Sequence, residues 1–213
     1  MISVIDYGVG NLRSVEKALQ YIGCDAKFTS DKKEIEKSEG VVLPGVGAFD
    51  DAMLNLQKSG LDDAVKESIN SGKPFLGICL GLQLLFEKSE ESKTGKTGLC
   101  IFKGTIKKIP EAKGLKIPHM GWNEIEYSTD CPFLTQLPDK PYVYFVHSYY
   151  ADCVDKDIVA ATVQYGGSLD VAVYKNNVFA TQFHPEKSSL VGLNILRKWA
   201  LFVKSHNKGV EKC

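Results

Sequence analysis

The sequence has no excess of charge of either sign. Its 213 residues contain 26 lysines and arginines and 26 aspartates and glutamates, so the formal net charge is zero. A balanced chain offers no electrostatic attraction for nucleic acid or for an anionic membrane. It also has no apolar run near the ~20 residues that span a bilayer. We therefore expect neither nucleic acid nor a membrane as a partner.

The cysteines form no framework typical of disulfides or metal sites. No pair has CxxC spacing, and none stands near a histidine at the spacing of metal ligands. Scattered cysteines suit a reducing cytoplasm, and the opening MISVIDYGVG lacks the layout of a signal peptide. We expect a cytoplasmic protein without metal or cofactor. The six are Cys24, Cys79, Cys100, Cys131, Cys153 and Cys213.

Strands and helices alternate in the first half of the sequence. Leu12, Val15, Leu19 and Ile22 recur at helical spacing, and Asp31 suits a helix N-cap. Continuous apolar strands between helices indicate a parallel sheet covered on both faces. The predicted strands are 2–7, 26–30, 40–47 and 73–78, and the predicted helices are 11–23, 48–58, 61–71 and 80–88.

The second half is rich in strands and predicts a smaller antiparallel region. Asn tolerates positive φ, so Lys175-Asn176-Asn177 indicates a tight hairpin. The segment 88–98 is predicted to be a mobile surface loop. The remaining predictions are strands at 99–109, 142–150, 157–165, 169–175 and 177–185, and a closing helix from 188 to 207. We expect one α/β domain over 1–206 and a polar tail over 207–213.

Cys79 stands between two glycines where an apolar strand meets a helical pattern, in GICLG. Small residues on either side let a strand turn sharply into a helix and expose a nucleophile, as in the G-x-S-x-G elbow. A helix N-terminus also favours the thiolate. The same pattern suits a buried structural cysteine in a glycine-rich turn, and both interpretations remain open at this point.

His184 is the best candidate for a base that could serve such a nucleophile. In QFHPEKS, Glu186 follows two residues later, and residues i and i+2 of an extended chain project to the same side. A carboxylate there would orient the ring and stabilise its charged form. Taken alone, the motif also fits a histidine at a strand end beside a surface acid. His206, in the closing helix, is expected to be a solvated cation.

The turn PGVGAF offers backbone N–H groups beside these residues. Gly45 and Gly47 allow unusual backbone angles and close approach to a substrate oxygen, as an oxyanion hole requires. A plain strand–helix turn is the alternative. Carboxyl ends of neighbouring parallel strands share one crevice, so we expect Cys79 and His184 to lie near this turn.

These motifs together resemble the class I glutamine amidotransferases, whose triad is Cys–His–Glu. DYGVGNLRS, LPGVGAF, HMGWN, YFVHSYY and TQFHPEKS are more specifically similar to the glutaminase subunits of imidazole glycerol phosphate synthases. The similarity runs from residue 5 to about residue 203. It implies a flavodoxin-like open mixed sheet with helices on both faces and a smaller antiparallel region.

The resemblance implies a role for each site residue. Cys79 would attack the side-chain amide of glutamine to give a thioester, His184 would transfer the proton, and Glu186 would orient the ring. A segment that reorients would form the oxyanion hole, with Gly45, Val46, Gly47 and Leu80. The residues that would bind the substrate are Gln83, Ser148 and Tyr149.

The resemblance also implies a heterodimer with a (β/α)₈-barrel cyclase that receives the ammonia. Core packing is the alternative role for Trp122 and Tyr144. A paralogue that serves another synthase, such as one aminating a surface sugar, would share the same active site. A silent binding subunit or an unrelated cysteine hydrolase fits these motifs less well. The expected contacts with the cyclase are Asn11, Trp122, Asn123, Tyr144 and Lys187.

Overall fold

The computed structural model describes the backbone of residues 1–210 and the side chains of residues 1–206. The helices in this part of the chain are α1 (Leu12–Tyr21), α2 (Lys32–Lys37), α3 (Phe49–Ser59), α4 (Leu61–Asn70), α5 (Leu80–Gln83) and α6 (Ser189–Val210). The strands are β1 (Ile2–Ile5), β2 (Ala26–Thr29), β3 (Gly40–Gly45), β4 (Phe75–Cys79), β5 (Phe86–Ser89), β6 (Phe102–Lys108), β7 (His119–Tyr127), β8 (Tyr142–His147), β9 (Tyr149–Cys153), β10 (Val159–Gln164), β11 (Ser168–Lys175) and β12 (Val178–Thr181).

Five parallel strands, in the order β2-β1-β3-β4-β12, form one half of the sheet. Every residue of β1, β3, β4 and β12 is buried, as continuous apolar strands require when helices cover both faces. The order is that of flavodoxin-like folds, with β12 as the fifth strand. In such a sheet, a ligand crevice forms at the carboxyl ends of the strands.

The antiparallel strands continue the same sheet. Beyond β12, the strands β11, β10, β7 and β8 pair in that order, and β9, β6 and β5 branch from β11. Lys175 pairs with Val178 across the predicted hairpin, and Asn176 has a φ of 55°. The prediction of an open mixed sheet with an antiparallel region is confirmed.

Helices cover both faces of the sheet. Leu19 of α1 and Trp199 of α6 pack in the core on one face. Ile35 of α2, Phe49 of α3 and Leu61 of α4 pack in the core on the other face. Among the described residues, no helix is both long enough and apolar enough to cross a membrane.

The predicted helix at 80–88 is wrong beyond Gln83. Helix α5 ends there after one turn, and Phe86 opens the strand β5. Leu84, Leu85 and Phe86 are all fully buried. A surface helix buries only one stripe of side chains, so three consecutive buried residues suit a segment enclosed between the sheet and the following loop.

Two further segments differ from the predictions. No strand is predicted at His119–Tyr127, where Gly121 and polar residues interrupt the alternation, yet β7 pairs with both β8 and β10. The predicted strand 142–150 breaks at Ser148. Its first part pairs with β7 and its second part, from Tyr149, with β6, so Ser148 alone lies between the two pairings.

The predicted mobile loop at 88–98 is anchored to the start of α3. A carboxylate oxygen of Glu91 accepts a hydrogen bond from the Phe49 backbone N–H at 2.8 Å. Asp50 accepts hydrogen bonds from the backbone and the hydroxyl group of Thr94. Acidic side chains are favoured at a helix N-terminus because they satisfy its free N–H groups.

The closing helix extends beyond its predicted end at residue 207. Helix α6 continues to Val210, so its backbone enters the segment expected to be a polar tail. The side chains of 207–210 and all of 211–213, including Cys213, lie outside the described residues.

Candidate active site

The chain turns from β4 into α5 at Cys79. This residue has a φ of 56° and a ψ of −110° and occupies the N-cap position of α5. A positive φ in a residue other than glycine is strained by about 1–3 kcal/mol and marks a functional position when the fold maintains it. The predicted elbow is therefore present, and it brings the thiol to the carboxyl end of β4.

The glycines beside Cys79 are required by close packing. A Cβ atom on Gly77 would lie 3.0 Å from both the Ala180 Cβ and the Gly81 carbonyl oxygen. A Cβ atom on Gly81 would collide with the backbone carbonyl of Leu43 in β3. Because the elbow lies directly against β3 and β12, only glycine fits at positions 77 and 81, on either side of Cys79.

We expect Gly81→Ala to lower the free energy of unfolding by about 3 kcal/mol, the upper end of the range for overpacking, because the clash is with backbone. Urea unfolding would measure the change. Gly95→Ala is the matched control, since nothing lies within 4 Å of its Cβ position and only its φ of 69° is strained. It should cost about 1 kcal/mol. Equal losses in both variants would contradict the packing argument.

His184 and Glu186 follow β12 and form a buried pair. The His184 Nδ1 atom lies 2.8 Å from a carboxylate oxygen of Glu186, and the side chains are 3% and 1% exposed. The His184 backbone N–H donates to the Tyr144 carbonyl group at 3.0 Å. Ser188 Oγ donates to the His184 carbonyl group and accepts from the Tyr144 N–H group. The ring is thus held between β8 and the turn that begins α6.

The surroundings of His184 favour its protonated form. Burial opposes the charge, but the interactions with Cys79 and Glu186 prevail and raise the pKa of His184 to about 9. Its Nε2 atom is buried and has no hydrogen-bond partner among the described residues. A charged ring beside a thiol, with one nitrogen uncommitted, can stabilise a thiolate and transfer a proton.

Most of the predicted catalytic, oxyanion-hole and substrate-binding residues line one cavity of about 330 Å³. Gly45 instead lines a small adjoining pocket with Asn11, His184 and Glu186. The Gln83 amide donates to the Tyr149 carbonyl group at 3.3 Å, so part of its hydrogen-bonding capacity is used within the protein. The predicted residues that line the large cavity are Val46, Gly47, Cys79, Leu80, Gln83, Ser148, Tyr149 and His184.

Sequence reasoning did not identify six residues that contact the site. Three of them, Pro118, Val146 and His147, line the large cavity. The other three are Gln182, Glu91 and Tyr7. Gln182 is fully buried, its Nε2 atom lies 3.5 Å from the Cys79 sulfur, and its Oε1 atom accepts from Gln83. Glu91 also lines the cavity. The Tyr7 hydroxyl donates to the Pro44 carbonyl group at 2.9 Å. Only Gln182 had a local signal, because it lies two residues before His184 in the segment 177–185 that is predicted to be a strand.

Burial, followed by the charge of Cys79, raises the pKa of Tyr7 far above its ordinary value. The phenol therefore stays protonated and holds Pro44, the residue before the predicted oxyanion segment. Val46 is 41% exposed and Gly47 has a φ of 98°, so this segment leaves the sheet directly after the Tyr7 contact.

Two of the residues predicted to contact a partner, Trp122 and Lys187, both lie beside a third, Tyr144. Trp122 is 51% exposed and packs edge-on against Tyr144, with ring centroids 6.1 Å apart. The Lys187 ammonium group lies 6.0 Å from the Tyr144 ring. Asn11 is exposed, whereas Asn123 is half-buried and bonds to His119. The core-packing alternative is wrong for Trp122.

The family model for glutamine amidotransferase class-I matches residues 3–201. The chain belongs to the class I glutamine amidotransferases. The sequence resemblance to this family is therefore confirmed.

Similar class I amidotransferases include imidazole glycerol phosphate synthase subunits HisH from several bacteria. The protein of Caldanaerobacter subterraneus is 55% identical over 205 residues, which cover 96% of this chain and 99% of that protein. The Bacillus cereus protein is 53% identical, with 93% of each chain covered. The Gloeothece citriformis protein is 50% identical over 198 residues, with 92% of this chain and 93% of that protein covered.

Solved structures share the fold at lower sequence identity. A putative GMP synthase subunit from Thermoplasma acidophilum matches with a TM-score of 0.74 and 22% identity, covering 99% of this chain and 97% of that chain. PurLQS from Thermotoga maritima matches with a TM-score of 0.72 and 20% identity, covering 97% and 98%. Within the described residues of this class I chain, no cluster of His, Cys, Asp and Glu could hold a metal ion.

Proposed function

We propose that this chain is the glutaminase subunit of an imidazole glycerol phosphate synthase and that it acts in the cytoplasm. The observation that supports the chemistry is the shared cavity of Cys79 and His184, with Glu186 bonded to the far side of the ring. Relatives named as synthase subunits, about half identical over nearly their whole length, support the choice of synthase.

Cys79 is the nucleophile. Its thiolate adds to the side-chain amide carbon of glutamine, and the carbonyl electrons move onto the oxygen. Collapse of this tetrahedral intermediate expels ammonia, which takes a proton from the His184 imidazolium. Water then adds to the thioester while His184 accepts a proton from it, and glutamate leaves as the thiolate is restored.

Glu186 orients His184 and stabilises its charged form. The pair is buried, so the electrostatic attraction is weakly screened by solvent. The oxyanion is stabilised by backbone N–H groups of Leu80 and of the segment from Gly45 to Gly47. Gly45 lines the adjoining pocket, which agrees with a segment that must reorient before the hole is complete.

The cavity wall offers groups suited to the amino-acid end of glutamine. Gln83 uses its Nε2 atom on Tyr149 and Gln182, which leaves Oε1 to accept a hydrogen bond from the substrate. The Glu91 carboxylate lies in the same wall and attracts the α-ammonium group. Backbone groups of Ser148 and Tyr149 complete this end of the site.

A cyclase subunit with a (β/α)₈ barrel is the proposed partner, in a heterodimer. The exposed Trp122 and Lys187 both lie beside Tyr144, whose carbonyl group accepts from the His184 backbone, and they form a mixed aromatic and cationic surface. With Asn11 and Asn123 it would contact the barrel, which receives the ammonia. The products are imidazole glycerol phosphate, for histidine synthesis, and an aminoimidazole carboxamide ribotide.

Release of glutamate from glutamine, measured for the chain alone and with a histidine-pathway cyclase and its nucleotide ligand, tests this proposal. We expect slow release by the chain alone and a large increase when both are added. A glutaminase that the cyclase neither binds nor stimulates would belong to another synthase, such as one aminating a surface sugar. No release under any condition would contradict the glutaminase assignment itself.

A further inference from the structure

Two buried histidines outside the proposed chemistry, His119 and His147, bond to each other directly. His119 Nδ1 lies 3.0 Å from His147 Nε2, and the residues are 3% and 5% exposed. Two neutral imidazole rings can form this hydrogen bond only if one donates and the other accepts. The neighbours of the pair therefore decide which nitrogen of each ring carries the proton.

The inner end of the pair fixes the tautomer of His147. Its Nδ1 atom lies 2.9 Å from the Tyr149 carbonyl oxygen, which can only accept, so Nδ1 carries the proton. Burial lowers the pKa of His147 to about 3, and the ring is neutral. Its Nε2 atom is thus an acceptor, and His119 must donate to it from Nδ1.

The contact of His119 with Asn123, at the other end of the pair, independently indicates the same direction of hydrogen-bond donation. Burial lowers the pKa of His119 to about 4, so this ring is neutral too and its Nε2 atom accepts. The Asn123 Nδ2 atom lies 3.3 Å from it. Asn123 Oδ1 accepts from the Glu124 backbone N–H at 2.9 Å, which turns the amide nitrogen towards His119. Hydrogen bonds therefore run in one direction from Asn123 to the Tyr149 carbonyl.

The path continues from Tyr149 to the nucleophile. The same carbonyl oxygen accepts from Gln83 Nε2 at 3.3 Å, and Gln83 donates to Gln182 Oε1 at 3.0 Å. Gln182 Nε2 in turn lies 3.5 Å from the Cys79 sulfur. Loss of the His147 ring would release the Tyr149 carbonyl that orients Gln83. Loss of the His119 donor would leave the buried Nε2 atom of His147 unpaired and so loosen the ring that holds this carbonyl.

We propose that His119 and His147 are positioning residues: their directed hydrogen bonds, which begin at Asn123, hold the Tyr149 carbonyl and through it the Gln83 amide in the glutamine cavity. This inference rests on the proposed glutaminase function. It connects the substrate-binding wall to β7 and β8, the strands that also contain the exposed Trp122 and the half-buried Tyr144.

A packing role is the competing explanation for His119. Its ring stacks on Tyr165, with centroids 3.8 Å apart, and on Phe145, with centroids 4.6 Å apart. His119→Phe keeps an aromatic ring in the stack but removes the donor to His147. His119→Asn removes the ring but keeps an amide N–H near the place of Nδ1. The two explanations therefore predict opposite orders of the KM for glutamine in these two variants.

Positioning predicts that His119→Phe raises the KM for glutamine about tenfold, as loss of a buried hydrogen bond should, with kcat changed less than about threefold. His119→Asn should keep the KM within about threefold of the wild-type value. These values are measured in the complex with cyclase and nucleotide ligand. The reverse order, or equal KM values in both variants, would overturn the positioning role.

Two further measurements do not depend on turnover. Calorimetric titration with glutamine, in a Cys79→Ala background, should give about tenfold weaker binding with His119→Phe. Long-range ¹H–¹⁵N correlation spectra of the wild-type protein at pH 6 should show both rings neutral and protonated at Nδ1. An Nε2–H tautomer or a charged ring in either residue would overturn the proposed direction of the hydrogen bonds from Asn123 to the Tyr149 carbonyl. Correct tautomers in a protein that never releases glutamate would contradict only the proposed function.

Discussion

Cys79→Ala is expected to reduce glutamate release by about 10⁴-fold or more, in the presence of a cyclase and its nucleotide ligand. Without the sulfur no thioester can form, and the remaining groups cannot replace a covalent route. The backbone at position 79 keeps the same strained conformation, because alanine has the same Cβ constraint as cysteine. The variant should therefore fold and still bind the cyclase. Glutamate release and titration with the cyclase measure the two properties separately.

Cys24→Ala is the matched control for this variant. Cys24 is buried to a similar degree, 8% exposed against 6% for Cys79, but it follows α1 and lines no part of the site cavity. We expect wild-type glutamate release from it. Turnover by Cys79→Ala at the wild-type rate, or equal losses in both variants, would contradict the assignment of Cys79 as the nucleophile.

The sequence alone allowed the parallel half of the fold and the elbow to be predicted, because both have strong local signals. Continuous apolar strands indicate burial on both faces, and glycines on either side of Cys79 indicate a tight turn. The contact of His184 with Glu186 is predicted from an extended chain, but Pro185–Lys187 form a 3₁₀ helix with His184 at its N-cap, so a turn brings the two side chains together. In each case the sequence signal is local, although the packing that requires Gly77 and Gly81 involves the distant residues Ala180 and Leu43.

The rest of the site depends on contacts between residues distant in sequence. Gln182 reaches Cys79 across 103 positions, and Glu91 reaches Phe49 across 42. Strand β7 contains a glycine and polar residues, so its register becomes clear only when β8 and β10 pair with it. No periodicity in the sequence encodes such pairings. The wrong prediction of a helix through Phe86 has the same origin, since burial on all sides comes from elements elsewhere.

Glu186→Gln is expected to reduce glutamate release by about 10²–10⁴-fold, the range typical of general acid–base catalysis. The neutral amide still fills the space beside His184 Nδ1 but no longer stabilises an imidazolium. The pKa of His184, raised to about 9 in the wild-type protein, should therefore fall. At neutral pH a smaller fraction of His184 is then protonated beside the thiol. A smaller fraction of the molecules can therefore donate a proton to the departing ammonia.

The same substitution should change how stability depends on pH. In the unfolded chain, histidine loses its proton near pH 6.5, whereas folded His184 keeps it until about pH 9. The folded state binds more protons in this window, so the stabilisation is complete below pH 6.5 and is lost as the pH rises through 9. Glu186→Gln should reduce that loss, as urea unfolding at pH 6.5 and pH 9.5 would measure.

Glu67→Gln, on the exposed face of α4, is the control and should leave both activity and pH dependence unchanged. An unaltered pH dependence in Glu186→Gln would mean that the carboxylate does not maintain the charge on His184, and its role would then reduce to holding the ring in place.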